Sequence, residues 1–563
     1  MYLSGGVDAQ DHGATPLRQL VAIVLRLASL PAFGLGMAAC EGCRSSAPVA
    51  SEPGSDVGPP TARLYLVTDL AGALEPCGCT KDQLGGIDHF GAWLRQSGAG
   101  APAAVVASAG PLFFMDPTLG TDRADQDRAK AETIALVLKG LEFAAFAPGA
   151  NDWADGTGGL VKLAGISGGA AIVPTTSPGI LPSPPFVTVA VRDVGALKIG
   201  FVGYGQPPGA AGGGPDAQEA VKRGVDEAKR QGANVLVALA AVGRGEAKRI
   251  ADAVPDLTAV VVGSARSNGE GNTEASQGER VGDVLIAQAA NHLQSVAVLD
   301  LYAREPVVAG QVMRFADATG LELSRQREDV ARRIDELHQK IAAWERDKSV
   351  SAADLDARRR DLAKLEAERE GLDKKSPPAK GSFFRYSLKE IRESLGKDPA
   401  IDSEMASYYK AINDHNRTAF ADRLPPPAGP EQARYVGIDV CSSCHPGARQ
   451  VWNTTRHAHA YATLSTQFKE FNLECVGCHV TGYEKPGGTT VTHVAGLEDV
   501  QCEVCHGPGS RHASNPADPA RIIAKPEPSG CLTCHHPPHV EGFDAVAKMK
   551  DILGPGHGLP AKP

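Results

Sequence analysis

One five-residue unit, repeated four times near the carboxy terminus, constrains the fold more than any other feature. Cys441-Ser-Ser-Cys444-His445, Cys475-Val-Gly-Cys478-His479, Cys502-Glu-Val-Cys505-His506 and Cys531-Leu-Thr-Cys534-His535 all read C-x-x-C-H. Cysteines three apart on a helical turn face one way, so both thiols can reach the two vinyl groups of one haem, and the histidine that follows is held under the iron. Zinc ribbons and disulfides also use paired cysteines, but neither needs a histidine after every pair. Eight of the twelve cysteines and eleven of the sixteen histidines lie after residue 440. The units therefore predict four covalently bound haem c groups, with His445, His479, His506 and His535 as proximal ligands. Residues 433–560 hold few clusters of Leu, Ile or Val. The porphyrins must then supply the apolar interior of a mostly α and irregular domain, packed closely enough for electron transfer.

Seven further histidines are available as distal ligands: His457, His459, His493, His512, His536, His539 and His557. The segment resembles the multihaem cytochromes of the c554 type. The resemblance rests on Tyr435-Val-Gly, on Trp452-Asn-Thr-Thr-Arg-His457, on Asn472-Leu-Glu-Cys-Val-Gly-Cys-His, on Val500-Gln-Cys-Glu-Val-Cys-His-Gly-Pro-Gly-Ser-Arg-His512, and on Gly554-Pro-Gly-His557. It implies His457 and His512 as distal ligands, with His539 and His557 for the other two irons. His459 is the alternative to His457, and the bond to proximal His535 restrains His536.

Residues 63–305 alternate β-branched runs with amphipathic stretches. Strands are expected at Arg63–Thr68, Ala103–Ala107, Leu197–Tyr204, Val235–Ala241, Thr258–Gly263 and Val296–Leu301, and helices at Arg123–Gly140 and Asp216–Gln231, which together argue for an α/β sandwich. This stretch resembles the 5′-nucleotidase branch of the calcineurin-like metallophosphoesterases in Thr68-Asp69-Leu-Ala71-Gly72, Gly149-Ala150-Asn151-Asp152 and Val261-Val-Gly263-Ser264-Ala265-Arg266. Family enzymes hold two metals to clamp a phosphoester and generate a hydroxide. Here Asp69 survives, but Ala71, Pro111, Ala150, Asn151, Ala241, Ser264 and Arg266 stand where ligands belong. The resemblance therefore implies the fold without the phosphatase chemistry. Cys77 and Cys79 read either as a disulfide (local, or with Cys43) or as a redox-active or metal-binding pair.

Residues 17–39 form the one long apolar segment, interrupted by Arg26, and Met37-Ala38-Ala39-Cys40 resembles a lipoprotein cleavage site. Residues 1–39 are thus expected to be a signal peptide, Cys40 a lipidation site and 40–62 a flexible tether, which implies an exported, periplasmic or envelope location. Asp8 and Asp11 fit a signal poorly and point to a start codon further on. Leu323, Val330, Ile334, Leu337, Ile341 and Trp344 follow heptad spacing. Ser351 with Asp354 then offers an N-cap to a second helix, so 320–375 is expected to be a charged helical hairpin or coiled coil. It reads as a spacer or self-packed arm, or as a surface for oligomers or partners. Residues 376–432 are expected to be a helical segment, helix over 383–420, ending in the Pro-rich hinge Leu424–Pro430. A net charge of −9 argues against nucleic-acid partners.

The expected fold is multidomain: an α/β metallophosphoesterase-like sandwich, a helical hairpin, then a tetrahaem cytochrome c domain. The expected function is electron transfer with other redox proteins or multihaem cytochromes, the α/β domain serving to bind or dock. Two alternatives stay open. One is a multihaem oxidoreductase acting on a small nitrogen or sulfur compound; the other is a nucleotidase-like hydrolase.

Overall fold

The structure is a computed structural model. It describes residues 58–560 except 77–81, 99–102, 175–183, 207–215, 267–270, 347–349, 374–379, 519–520, 538 and 541. The leader with Cys40, most of the tether, Cys43 and the Cys77/Cys79 pair lie outside the described residues. No helix among the described residues is long and apolar enough to cross a membrane.

Two mixed sheets pack face to face. In the first, β1 (Ala62–Thr68), β2 (Ala104–Ala109), β3 (Phe143–Ala147), β4 (Ala170–Ile172) and β5 (Phe186–Val187) run parallel. The helices between them are α1 (Ile87–Gly98), α2 (Ala124–Lys139) and α3 (Gly156–Ser167). The second sheet comprises β6 (Val189–Val194), β7 (Leu197–Tyr204), β8 (Val235–Ala241), β9 (Ala259–Gly263), β10 (Ser276–Val281) and β11 (Val284–Gln288), in the order β10-β11-β9-β8-β7-β6. Helices α4 (Ala217–Arg230) and α5 (Arg244–Ala253) cover its outer face. Continuous apolar runs such as VLVALAA in β8, buried at every residue, belong in strands covered on both faces. Between the sheets lie Leu64, Leu66, Leu299 and Phe384 from one side and Phe201, Val237, Val261 and Leu285 from the other. Small residues at Ala107, Ala109, Ala145 and Ala147 let the layers approach.

Beyond this the chain departs from the expected boundaries. Strand β12 (Ser295–Tyr302) returns to the first sheet, antiparallel to β1, and β13 (Ala316–Asp317) lies at the far edge. Helices α6 (Leu321–Arg346) and α7 (Ala352–Asp373) follow, and then residues 383–390, expected to be helical, form strand β14 (Phe383–Glu390). β14 pairs with β12 over its whole length and lies parallel to β13. The α/β domain is therefore completed by residues well past 305. Phe383 and Phe384 explain why: each is at most 1% exposed, and a helix placed there would take them off the sheet.

The α6–α7 hairpin is antiparallel, since Arg327 bonds the Leu372 carbonyl and Arg359 pairs with Glu345. Val330, Ile334, Leu365 and Leu372 fill its seam, and the Ser351 hydroxyl accepts from Asp354 N at the start of α7. Its two ends join neighbouring strands of one sheet edge. It is an insertion in the α/β domain and cannot act as a spacer between that domain and the carboxy-terminal segment. Helix α8 (Pro399–Ala419), capped by Asp398, lays Ile401, Met405, Tyr408 and Ile412 into the core formed by α1 and α2. The Pro-rich stretch is not free to swing. Thr492 and Thr490 hydroxyls donate to the Phe420 and Arg423 carbonyls, and Gly487 N donates to Pro426 O.

Candidate functional site

Asp69 closes β1 with a left-handed backbone (φ 49°) and is 3% exposed. Its carboxylate accepts from the backbone N and hydroxyl of Ser264, both at 2.8 Å. Burial pushes its carboxyl up to about 6 despite those donors. A Cβ on Gly110 (φ +86°) would meet Asp69 Oδ1 at 1.8 Å, so the neighbouring strand ends close on this carboxylate. Asp152 accepts from the backbone N–H groups of Leu112, Phe113 and Gly149 at 2.8–2.9 Å, and burial pushes it up to about 7. Asn151 donates to Met115 O. Both carboxylates are committed to holding loops. Among the described residues, no group of three or more His, Cys, Asp or Glu is arranged to hold a metal ion.

The carboxy-terminal segment has one small buried apolar cluster among its described residues, Val476, Val480 and Val491. Its histidines are organised instead. The rings of His445 and His512 lie 6.4 Å apart between centroids, with planes within 22° of each other. His506 and His557 repeat the same values, and His457 and His535 lie 6.3 Å apart at 42°. Two imidazole–metal bonds of about 2 Å each plus two ring radii come to about 6 Å, so each pair has the separation of two axial ligands on one iron. Imidazole pairs beside paired thiols are the donor set haem c requires. His479 and His506 each place Nδ1 on a backbone carbonyl, Ala460 O at 2.6 Å and Ile523 O at 2.7 Å. That fixes the tautomer and leaves Nε2 to ligate.

Three of the four distal candidates, His457, His512 and His557, thus face a histidine of a C-x-x-C-H unit, and it is His457 rather than His459 that does so. His539 does not; its ring lies 5.2 Å from His536, edge to face. His493 is turned to the Thr490 and Thr492 hydroxyls. Among the described residues no histidine ring is set opposite His479 in this way.

The thiols give the units a spatial order different from their sequence order. Cys441 lies beside Cys502, Cys478 lies beside Cys534, and Cys505 is near Cys531 and Cys534. The first unit thus adjoins the third, and the second adjoins the fourth.

The side chains that hold these units carried no role in the sequence reading. Glu503, 2% exposed, accepts from the backbone N of Val436, Gly437 and Gly509. Gln501 accepts from Ile438 N at 2.7 Å, so the first unit is tied to the third. Their signal was an acidic residue inside an otherwise neutral C-x-x-C pair. The strap before the second unit is held differently, by α2 and α8. Gln126 donates to Asn472 Oδ1 and accepts from Leu473 N at 3.0 Å, while Asn413 and Asn416 bond Phe471 N and O. Lys130 Nζ meets Glu474 Oε1 at 2.5 Å, with Arg123 at 3.5 Å. Lys469 pairs with Glu75 and sits 4.1 Å above the Tyr409 ring. Burial works to raise the Glu474 carboxyl, but Lys130 and Arg123 hold it below its ordinary value.

Residues 440–507 match the family described as cytochrome c554 and c-prime. Cytochrome c-554 of Nitrosomonas europaea is 37% identical over 93 residues, 14% of this chain and 40% of that protein, so the chain spans well under half the length of the curated relative it matches. Among solved structures, a 5′-nucleotidase precursor from Thermus thermophilus aligns with TM-score 0.39 and 16% identity, over 65% of this chain and 61% of that one. The NAD nucleotidase of Haemophilus influenzae aligns with TM-score 0.35 and 17% identity, over 45% and 55%. The carboxy-terminal part of the chain is thus similar to cytochrome c554-type proteins, which supports covalently bound haem c there, and the structural neighbours of the α/β part are 5′-nucleotidase-like proteins.

Proposed function

We propose that the chain is an exported, lipid-anchored tetrahaem electron-transfer protein whose α/β domain docks or binds without catalysing hydrolysis. The observation that carries the reading is the set of three histidine pairs at iron-spanning distance beside C-x-x-C units. Bound haem supplies one-electron chemistry. The chain's own part would be to hold each group through two thiols and the following histidine, with a second histidine set opposite in three of the four units. Cys441, Cys444, Cys475, Cys478, Cys502, Cys505, Cys531 and Cys534 make the attachments. His445, His479, His506 and His535 are the proximal ligands, and His512, His557 and His457 face the first, third and fourth of them. Redox proteins, other multihaem cytochromes among them, are the partners, and lipid on Cys40 holds the chain at a membrane in the periplasm or cell envelope. Asp69 and Asp152, both committed to backbone, support the loss of phosphoesterase chemistry.

Mass spectrometry of protein matured in a host that makes c-type cytochromes tests this reading. An increase of four haems is expected, and fewer than four rejects it. Phosphate release from a nucleotide that vanishes in Asp69→Ala would reject the non-catalytic assignment. A second reading, a multihaem oxidoreductase acting on a small nitrogen or sulfur compound, is favoured by His479, which none of the described histidine rings faces. Carbon monoxide or nitrite binding at a high-spin haem would select it over a pure relay.

A further inference from the structure

The four units differ in what holds them. The first is tied to the third by Glu503 and Gln501, inside the cytochrome segment. The strap that delivers the second is gripped by the α/β domain. Gln126 is the keystone. Its Oε1 accepts from Leu473 N at 3.0 Å and Asn416 Nδ2 at 2.9 Å, and its Nε2 donates to Asn472 Oδ1 at 3.2 Å. Gln126, Asn416 and Asn472 are each 1% exposed. Buried polar side chains satisfied by one another fix a single geometry and do not tolerate slippage. Next to them the Lys130 side chain, 8% exposed, meets Glu474, whose neighbour in sequence is the attachment residue Cys475.

We infer that the α/β domain is the holder of the second haem and sets that haem's reduction potential through the Lys130–Glu474 pair. The inference rests on the reading that Cys475 and Cys478 carry haem. Adjacent Cα atoms are about 3.8 Å apart, so a carboxylate at 474 sits close to whatever is bonded at 475. With Lys130 8% and Glu474 26% exposed, a charge at that range is only partly screened. An electron arriving on the haem adds negative charge. Lys130 favours it, Glu474 opposes it, and the pair leaves the two effects near balance. Removing either partner should tip the potential, in opposite directions. This gives the α/β domain a positional role: it fixes the second haem site.

The test is spectroelectrochemical titration of the full-length, haem-loaded protein and its variants, with haem counted by pyridine haemochrome. Lys130→Met should lower the midpoint of one haem of the four, Glu474→Gln should raise that of the same haem, and the other three should hold their positions. Gln126→Leu, which keeps the charges but cuts the strap's bonds, should broaden that same wave. Lys162→Met, at an exposed ion pair with Glu132, should move none. Four haems bound with no wave displaced, or with both charge variants shifting in one direction, would overturn the inference. So would equal displacement of all four waves. Fewer than four haems in the unaltered protein would instead overturn the reading beneath it. If Lys130→Met fails to fold, the Glu474→Gln arm alone decides, because the uncharged amide keeps a partner for the lysine.

Discussion

Asp69 shows how much chemistry one surviving residue can mislead about. The family resemblance marks it as a ligand position that survived, and its two carboxylate oxygens accept from the backbone N and hydroxyl of Ser264. Its folded value, about 6 against the ordinary 3.8, is raised by burial. A carboxyl raised on folding favours the fold fully below the unfolded value, and that contribution is lost as pH climbs through the folded one. Two units correspond to at most about 3 kcal/mol. Thermal melts should therefore show stability falling from about pH 4 to about pH 7, with Asp152 adding to the same slope. Asp69→Asn keeps one acceptor and one donor for Ser264, so it should flatten part of the slope; an unchanged slope would place the titration elsewhere. At the other end of the chain, His512→Ala should free one axial position facing His445, adding one haem that binds carbon monoxide. His493→Ala, at a ring turned to threonine hydroxyls, should add none. The proximal histidines were legible because their spacing to the cysteines is local. His539 is set edge to face against His536, and which rings approach one another is decided by segments whose packing no local pattern encodes.

Among elements, β14 is the clearest departure. Phe383-Phe-Arg-Tyr386 alternates only briefly before the long helix α8 begins, and its partner β12 lies some eighty residues earlier. Pairing at that separation depends on the sheet already existing, not on the strand's own pattern. Phe384, 1% exposed between the two sheets, provides the check. Phe384→Ala should cost about 3–5 kcal/mol, read as a shift in urea midpoint. A loss below about 1 kcal/mol would mean that residues 383–390 are peripheral to the α/β core. The hairpin was readable as two helices because heptad spacing and the Ser351 cap are local features. That both its ends return to one sheet edge was not, since loop direction is decided by where the strands pair.

Across the chain as a whole, residues 59–563 form one compact unit, although composition divides them into a sandwich, a charged hairpin and a cysteine-rich end. The strap at 469–474 and the pinned segment at 420–426 are the joints. Unfolding followed by far-ultraviolet circular dichroism, which is dominated by the sandwich, and by haem absorbance should give coincident transitions. Separate midpoints would show that the joints are too weak to couple the parts. Reading residues in order was enough to pick out the four C-x-x-C-H units and the α/β pattern of the middle. Each of these follows from spacing within a few residues or from which residue types are present at all. Which histidines face one another, that the hairpin is an insertion, and that the α/β domain grips the second C-x-x-C-H unit emerged only from the folded chain. Those depend on contacts between residues from about fifty to more than three hundred positions apart, such as Gln126 with Asn472, whose hydrogen bonds exist only once both segments are folded and water has been excluded between them.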